Sequence, residues 1–127
     1  MSVNSTRPIN LDLTTMKFPV MAISSILHRI SGVVIFLSLP VWLWLLAQSL
    51  ESAKGFNELQ NCLQSLTGKA FLFVALSALA YHIVAGIKHL IMDMGIGETL
   101  AGGRILSTLT LLIAAVKIAA IGVWILW

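Results

Sequence analysis

Apolar and polar positions fall along this chain in long blocks rather than at the short period of a half-buried helix or strand. Three apolar runs, Ile30–Leu50, Ala70–Ile87 and Ile105–Trp127, are separated by the polar stretches Met1–Lys17, Glu51–Lys69 and Lys88–Arg104. Lys69 and Lys88 bracket eighteen uncharged residues. At ~1.5 Å per residue these span ~27 Å, close to the ~30 Å hydrocarbon core of a bilayer. A run that is apolar on every face has to be covered on every face, which lipid does. The pattern predicts an all-α membrane protein with three transmembrane helices at about 24–50, 66–93 and 104–127, forming one anchor domain over 1–127. Pro40 predicts a kink in the first span, since it removes a backbone donor and collides with the preceding turn. The stretch Glu51–Lys69, with Gly55 and Asn57, reads as a loop, and the GIG and AGG triplets of Lys88–Arg104 as a flexible turn.

Composition agrees, at 58% hydrophobic and 10% charged residues over 127 positions. A mean hydropathy of +0.96 is too high for a soluble domain of this size. A unit this small needs other chains to complete a buried site. Cys62 has no second cysteine to pair with and receives no role. The net charge of +3 is dispersed without a basic run, so no nucleic-acid partner is expected. The N-terminal stretch has neither the apolar core of a secretory signal nor an Arg-rich, acid-free transit pattern, which favours a bacterial inner membrane over a mitochondrion. Arg7, Lys17, Arg29, Lys88 and Arg104 lie on one side of the spans, against Lys54 and Lys69 on the other. The positive-inside bias then places the N-terminus in the cytoplasm and the C-terminus in the periplasm. Trp42, Trp44, Trp124 and Trp127 all fall toward the outer interface, as an aromatic belt does. Lys117 lies near mid-depth of the third span, where it either pairs with an acid on a partner helix or snorkels along a tilted one.

His82 is the ionisable group set inside the second span, and at membrane depth such a group needs a named partner. A hydrogen bond across helices and a bond to a metal both remain open to it. Two stripes accompany it. Ser25, His28, Arg29 and Gly32 follow i, i+3, i+4, i+7, and His82, Gly86, His89 and Asp93 follow i, i+4, i+7, i+11. The glycines sit where a backbone or a flat cofactor would approach closely. By depth, His89 is level with His28 and Arg29, whereas His82 lies ~10 Å deeper and has no histidine of this chain at its own level. A bis-histidine haem at His82 would then take its second ligand from another polypeptide. Ser77, Ala78, Ala80, Ala85 and Gly86 leave room for the ring, and Arg29 with His28 is placed to bind propionates. Simpler roles stay open: interfacial anchoring for His28 and Arg29, a bond back to the preceding turn for Ser25, and a polar helix end for His89 and Asp93.

At these residues the chain resembles a known family, the larger cytochrome b membrane-anchor subunit of bacterial succinate dehydrogenase, or succinate:quinone oxidoreductase (complex II). One motif is met by Arg7, Pro8, Ile9, Leu13, Val20, Ser25, His28, Arg29 and Ser31, within RPINLDL and FPVMAISSILHRISG. The other, HIVAGIKHLIMD, supplies His82, Gly86, His89 and Asp93. Lys88 departs from the arginine of many relatives, and Lys117 has no counterpart role in the pattern. The resemblance implies a haem b whose iron is bound by His82 and by a histidine of a second, small hydrophobic anchor subunit. It further implies that His28 and Arg29 approach the propionates, and that Ser25 and Arg29 form a ubiquinone site beside the iron-sulfur subunit. Succinate chemistry then belongs to the flavoprotein and iron-sulfur partners, not to this subunit alone. A structural or transport-type bundle, with His82 as an interhelical contact, is the alternative, and a fumarate reductase anchor would run the same parts in reverse.

Overall fold

The computed structural model describes residues 16–126. Arg7, Pro8, Ile9, Leu13 and Trp127 lie outside the described residues. Four helices follow one another: α1 (Val20–Glu51), α2 (Ala53–Gln64), α3 (Leu66–Asp93) and α4 (Leu100–Leu126). α1, α3 and α4 are the three spans expected from the apolar runs. At 32, 28 and 27 residues and ~1.5 Å per residue, each is longer than the hydrocarbon core it crosses. Pro40 lies inside α1 without ending it.

The three long helices meet through narrow lines of small residues. α1 buries Ser24, Ser31, Ser38 and Leu45, a strict seven-residue repeat. α3 buries Gly68, Ala75, Tyr81, Ala85 and Lys88, and α4 buries Gly103, Ser107, Thr110 and Ala114. Large apolar side chains such as Phe36, Leu37, Leu90 and Val116 point outward. In lipid, burying leucine against leucine brings no hydrophobic gain, so association relies on close backbone approach and on polar groups. Three of the buried hydroxyls are satisfied by the preceding turn: Ser31 Oγ donates to His28 O at 2.7 Å, Ser38 Oγ to Ile35 O at 2.8 Å, and Thr110 Oγ1 to Leu106 O at 2.8 Å. Tyr81, Ala85 and Ala114 form the buried centre of the bundle, with Leu111 packed against them.

The stretch Glu51–Lys69 is not the loop expected from Gly55 and Asn57. Ser52 caps α2 by accepting from Gly55 N at 3.0 Å, and Ser65 caps α3 by accepting from Gly68 N at 3.1 Å. Between the caps, Phe56, Leu59 and Leu63 share one face, while Lys54 and Glu58 pair at 3.7 Å on another. Such a short amphipathic helix suits a position along the membrane surface. The expected flexible turn is also narrower than Lys88–Arg104. α3 continues through Lys88 to Asp93 and ends on Gly95 (φ 83°), with Gly95 N donating to Met92 O at 2.9 Å and Ile96 N to Ile91 O at 3.3 Å. This is a Schellman stop, for which the positive φ of Gly95 is needed. The AGG triplet belongs to the first turns of α4.

Candidate functional site

The start of α1 and the end of α3 run antiparallel at one end of the bundle and share a cluster of imidazoles. The His28 and His82 rings stack with centroids 4.1 Å apart and planes at 25°. His89 lies on the other side of His28, at 5.2 Å and 36°. Glycines on the facing helices accommodate the first two rings. A Cβ on Gly32 of α1 would stand 3.1 Å from His82 Cε1, and one on Gly86 of α3 would stand 3.7 Å from His28 Nε2. Each helix thus inserts a histidine against a glycine of its neighbour.

This arrangement corrects the expected depth separation. His82 does have an intrachain histidine at its level, because His28 leans into the α1–α3 seam instead of standing beside His89 alone. It does not follow that the two share a metal. A ring nitrogen binds a metal in the plane of its ring, and rings stacked face to face direct their nitrogens past one another. A metal held by His82 would therefore take its other ligands from groups other than His28. Among the described residues, no group of three or more His, Cys, Asp or Glu side chains is arranged to hold a metal ion.

The hydrogen bonds at His82 decide what it can do. Its Nδ1 lies 3.2 Å from His28 O and 3.1 Å from Ser31 Oγ. A carbonyl oxygen only accepts, so in the tautomer that makes this bond Nδ1 carries the proton and Nε2 keeps its lone pair. Fixing one imidazole nitrogen on a backbone carbonyl is the usual way a metal-binding histidine is held in the required tautomer and orientation. His28 Nε2, by contrast, is buried and has no hydrogen-bond partner among the described residues. A buried polar atom left unpaired is costly and is uncommon in a folded chain.

The rest of the first stripe divides. Ser25 is half-buried at the edge of the seam and Arg29 is exposed, so they flank the imidazoles without entering them. Asp93 is exposed at the end of α3. Two residues outside the candidate set complete the site. Tyr81 Oη donates to Ser24 O at 2.9 Å, and Lys88 Nζ donates to Ser24 Oγ at 3.2 Å. Lys88 is only 5% exposed, so it is not the interfacial bracket that its charge suggests in the sequence. The available signal was spacing: Tyr81 and Lys88 are seven apart and therefore share a face, and both meet Ser24.

The fold and this cluster define a class: a three-span helical membrane subunit with stacked imidazoles in one interhelical seam. Residues 3–123 match the family described as succinate dehydrogenase/fumarate reductase transmembrane subunit. The chain is 44% identical over 97% of its length to the succinate dehydrogenase cytochrome b556 subunit of Coxiella burnetii, covering 99% of that protein. It is 30% identical over 84% of its length to the subunit of that name from Paracoccus denitrificans, covering 91% of it. Against the cytochrome b560 subunit of Reclinomonas americana it is 34% identical over 74% of its length and 69% of the relative. The chain belongs to the family of succinate dehydrogenase/fumarate reductase transmembrane subunits, as a multi-pass membrane anchor of the cytochrome b type.

Proposed function

We propose that this chain anchors a bacterial succinate:quinone oxidoreductase in the inner membrane and helps to hold a haem b shared with a second anchor subunit. His82 Nε2 is the iron ligand from this side. The observation that carries the reading is the contact of His82 Nδ1 with His28 O, which leaves Nε2 unprotonated. The donor chemistry fits a haem, since the porphyrin supplies four nitrogens and this chain needs to add only one. When bound, the haem accepts and returns single electrons. His28 and Arg29 approach the propionates, which the exposed guanidinium of Arg29 binds.

The same end of the bundle forms part of the ubiquinone site. Ser25 donates a hydrogen bond to a quinone carbonyl, and Arg29, exposed one turn further on, stabilises negative charge developing on the ring. Both residues are open to a partner that closes the pocket, which in this reading is the iron-sulfur subunit on the cytoplasmic side. The flavoprotein oxidises succinate, and electrons pass through the iron-sulfur subunit to the quinone. The bias of Lys and Arg supports a cytoplasmic N-terminus and a periplasmic C-terminus.

The test is a dithionite-reduced minus oxidised visible spectrum of the detergent-purified complex, for native protein and for His82→Ala. A sharp low-spin b-type band that vanishes or shifts in the variant is expected. An unchanged band would remove His82 from the iron. Absence of haem from the intact native complex would leave His82 as an interhelical contact. Ser25→Ala and Arg29→Ala are expected to lower quinone reduction by more than they lower haem content, and normal turnover in both would remove the quinone site from this chain.

A further inference from the structure

Lys117 is the one Lys, Arg, Asp or Glu inside the three apolar runs, and the haem and quinone roles leave it unused. It is exposed within α4, in a groove of about 300 Å³ between α3 and α4, lined by Leu76, Ala80 and Ile83 of α3 and by Ile121 and Trp124 of α4. Ala80 is close to the middle of Leu66–Asp93, so α3 and α4 both place the ammonium deep in the bilayer. The nearer interface, marked by Trp124 of the aromatic belt, is seven residues away. That is ~10 Å along the axis, more than a lysine's four-carbon stem covers. The Cα–Cβ bond also tilts toward the helix N-terminus, away from that end. Snorkelling therefore does not bring the charge to water, and a lone cation at this depth is costly.

No acid among the described residues pairs with it. Asp12, Glu51, Glu58, Asp93 and Glu98 all lie outside the apolar runs, and the ion pair found among the described residues joins Lys54 to Glu58. A second copy of the chain carries its acids at the same positions and fails for the same reason. We propose that the α3–α4 groove seats a transmembrane helix of a different chain, which presents an Asp or Glu to Lys117. The chain is taken to be the second anchor subunit of the reading above, and the inference rests on that reading to this extent.

The experiment treats the purified complex with a membrane-permeable carbodiimide. The reagent activates a buried carboxyl, the Lys117 amine displaces it to form an amide, and the reagent leaves as its urea with the elements of water. Mass spectrometry of the joined peptides is expected to show Lys117 linked to an Asp or Glu inside an apolar run of the second anchor, and Lys117→Met to abolish that product. Lys117→Glu is expected to reduce co-purification of the second anchor several-fold, with Lys117→Arg retaining it. Linkage to any other chain would overturn the pairing. So would absence of linkage together with full retention of the second anchor in Lys117→Glu; absence of linkage with selective loss in Lys117→Glu but not in Lys117→Arg would support it. The linked mass is read without reference to haem, so a failed haem assignment leaves this result standing, and a failed linkage beside a normal b-type spectrum removes only the pairing.

Discussion

The α1–α3 seam has two ends built on one spacing and used differently. At one end Ser24 and Ser31 face Tyr81, His82 and Lys88, and the serines hold polar groups of the neighbouring helix. At the other end Ser38 faces a shallow groove lined by Val34, Val41, Phe71 and Ala75, with Trp42 and Phe71 tilted together at 5.4 Å. Ser38 bonds only to its own helix. Small residues every seventh position let the backbones approach along the whole seam, so packing alone does not explain the polar end. Polar groups concentrated in one half of an interface that lipid could have left apolar make that half the place to test for function.

The comparison breaks most visibly at the imidazoles. His82→Ala is expected to remove or transform the b-type band, whereas Phe71→Leu at the other end leaves it intact. Gly32→Val comes next: any Cβ there already stands 3.1 Å from His82 Cε1, and two further methyl groups force the ring from its place. A shifted or diminished band with this chain still present in the purified complex is the expected result; a native spectrum would show that His82 does not depend on the Gly32 cradle. The Lys88–Ser24 contact gives a third, asymmetric effect. Ser24→Ala strands a buried ammonium and is expected to cost about 1–3 kcal/mol, read as a lower thermal midpoint of the assembled complex. Lys88→Met removes the cation itself at similar volume and is expected to cost less. The opposite order would show that the lysine charge, not its burial without an acceptor, is what matters. Tyr81→Phe, which deletes only the bond to Ser24 O, is expected to cost about 0.6 kcal/mol by the same measurement.

The sequence displayed the spans because nearly every residue inside them is apolar, and it displayed His82, His28 and Arg29 because polar groups stand out against that background. It concealed whatever depended on which face a small residue turns. Ser25 fitted the motif, yet Ser24 is the serine that is buried and bonded, and nothing in the pair SS distinguishes them. The depth argument failed at His28 because counting residues along a helix ignores where a side chain leans across to its neighbour. α2 was hidden by Gly55 and Asn57, both weak helix formers, while the serines that cap it and its successor looked like loop residues. The groove at Lys117 required two helices in contact, and the run Ile105–Trp127 supplies only one.

The finest test sets Ser31 against Ser38. Both are buried, seven residues apart on one face of α1, and both hydroxyls donate to the carbonyl three residues back at nearly equal length. Their difference is the His82 Nδ1, which lies 3.1 Å from Ser31 Oγ and has no counterpart at Ser38. Ser38→Ala exchanges a back-bonded hydroxyl for a methyl group of similar size, and its carbonyl partner keeps the helical bond, so stability and spectrum are expected to stay native. Ser31→Ala makes the same exchange and also takes one of two acceptors from Nδ1, leaving His28 O to hold the proton alone. A small displacement of the b-type band or of its midpoint potential, without loss of haem, is expected in Ser31→Ala only. Equal behaviour of the two variants would mean that His28 O suffices to orient His82, and that the serine repeat serves packing from one end of the seam to the other.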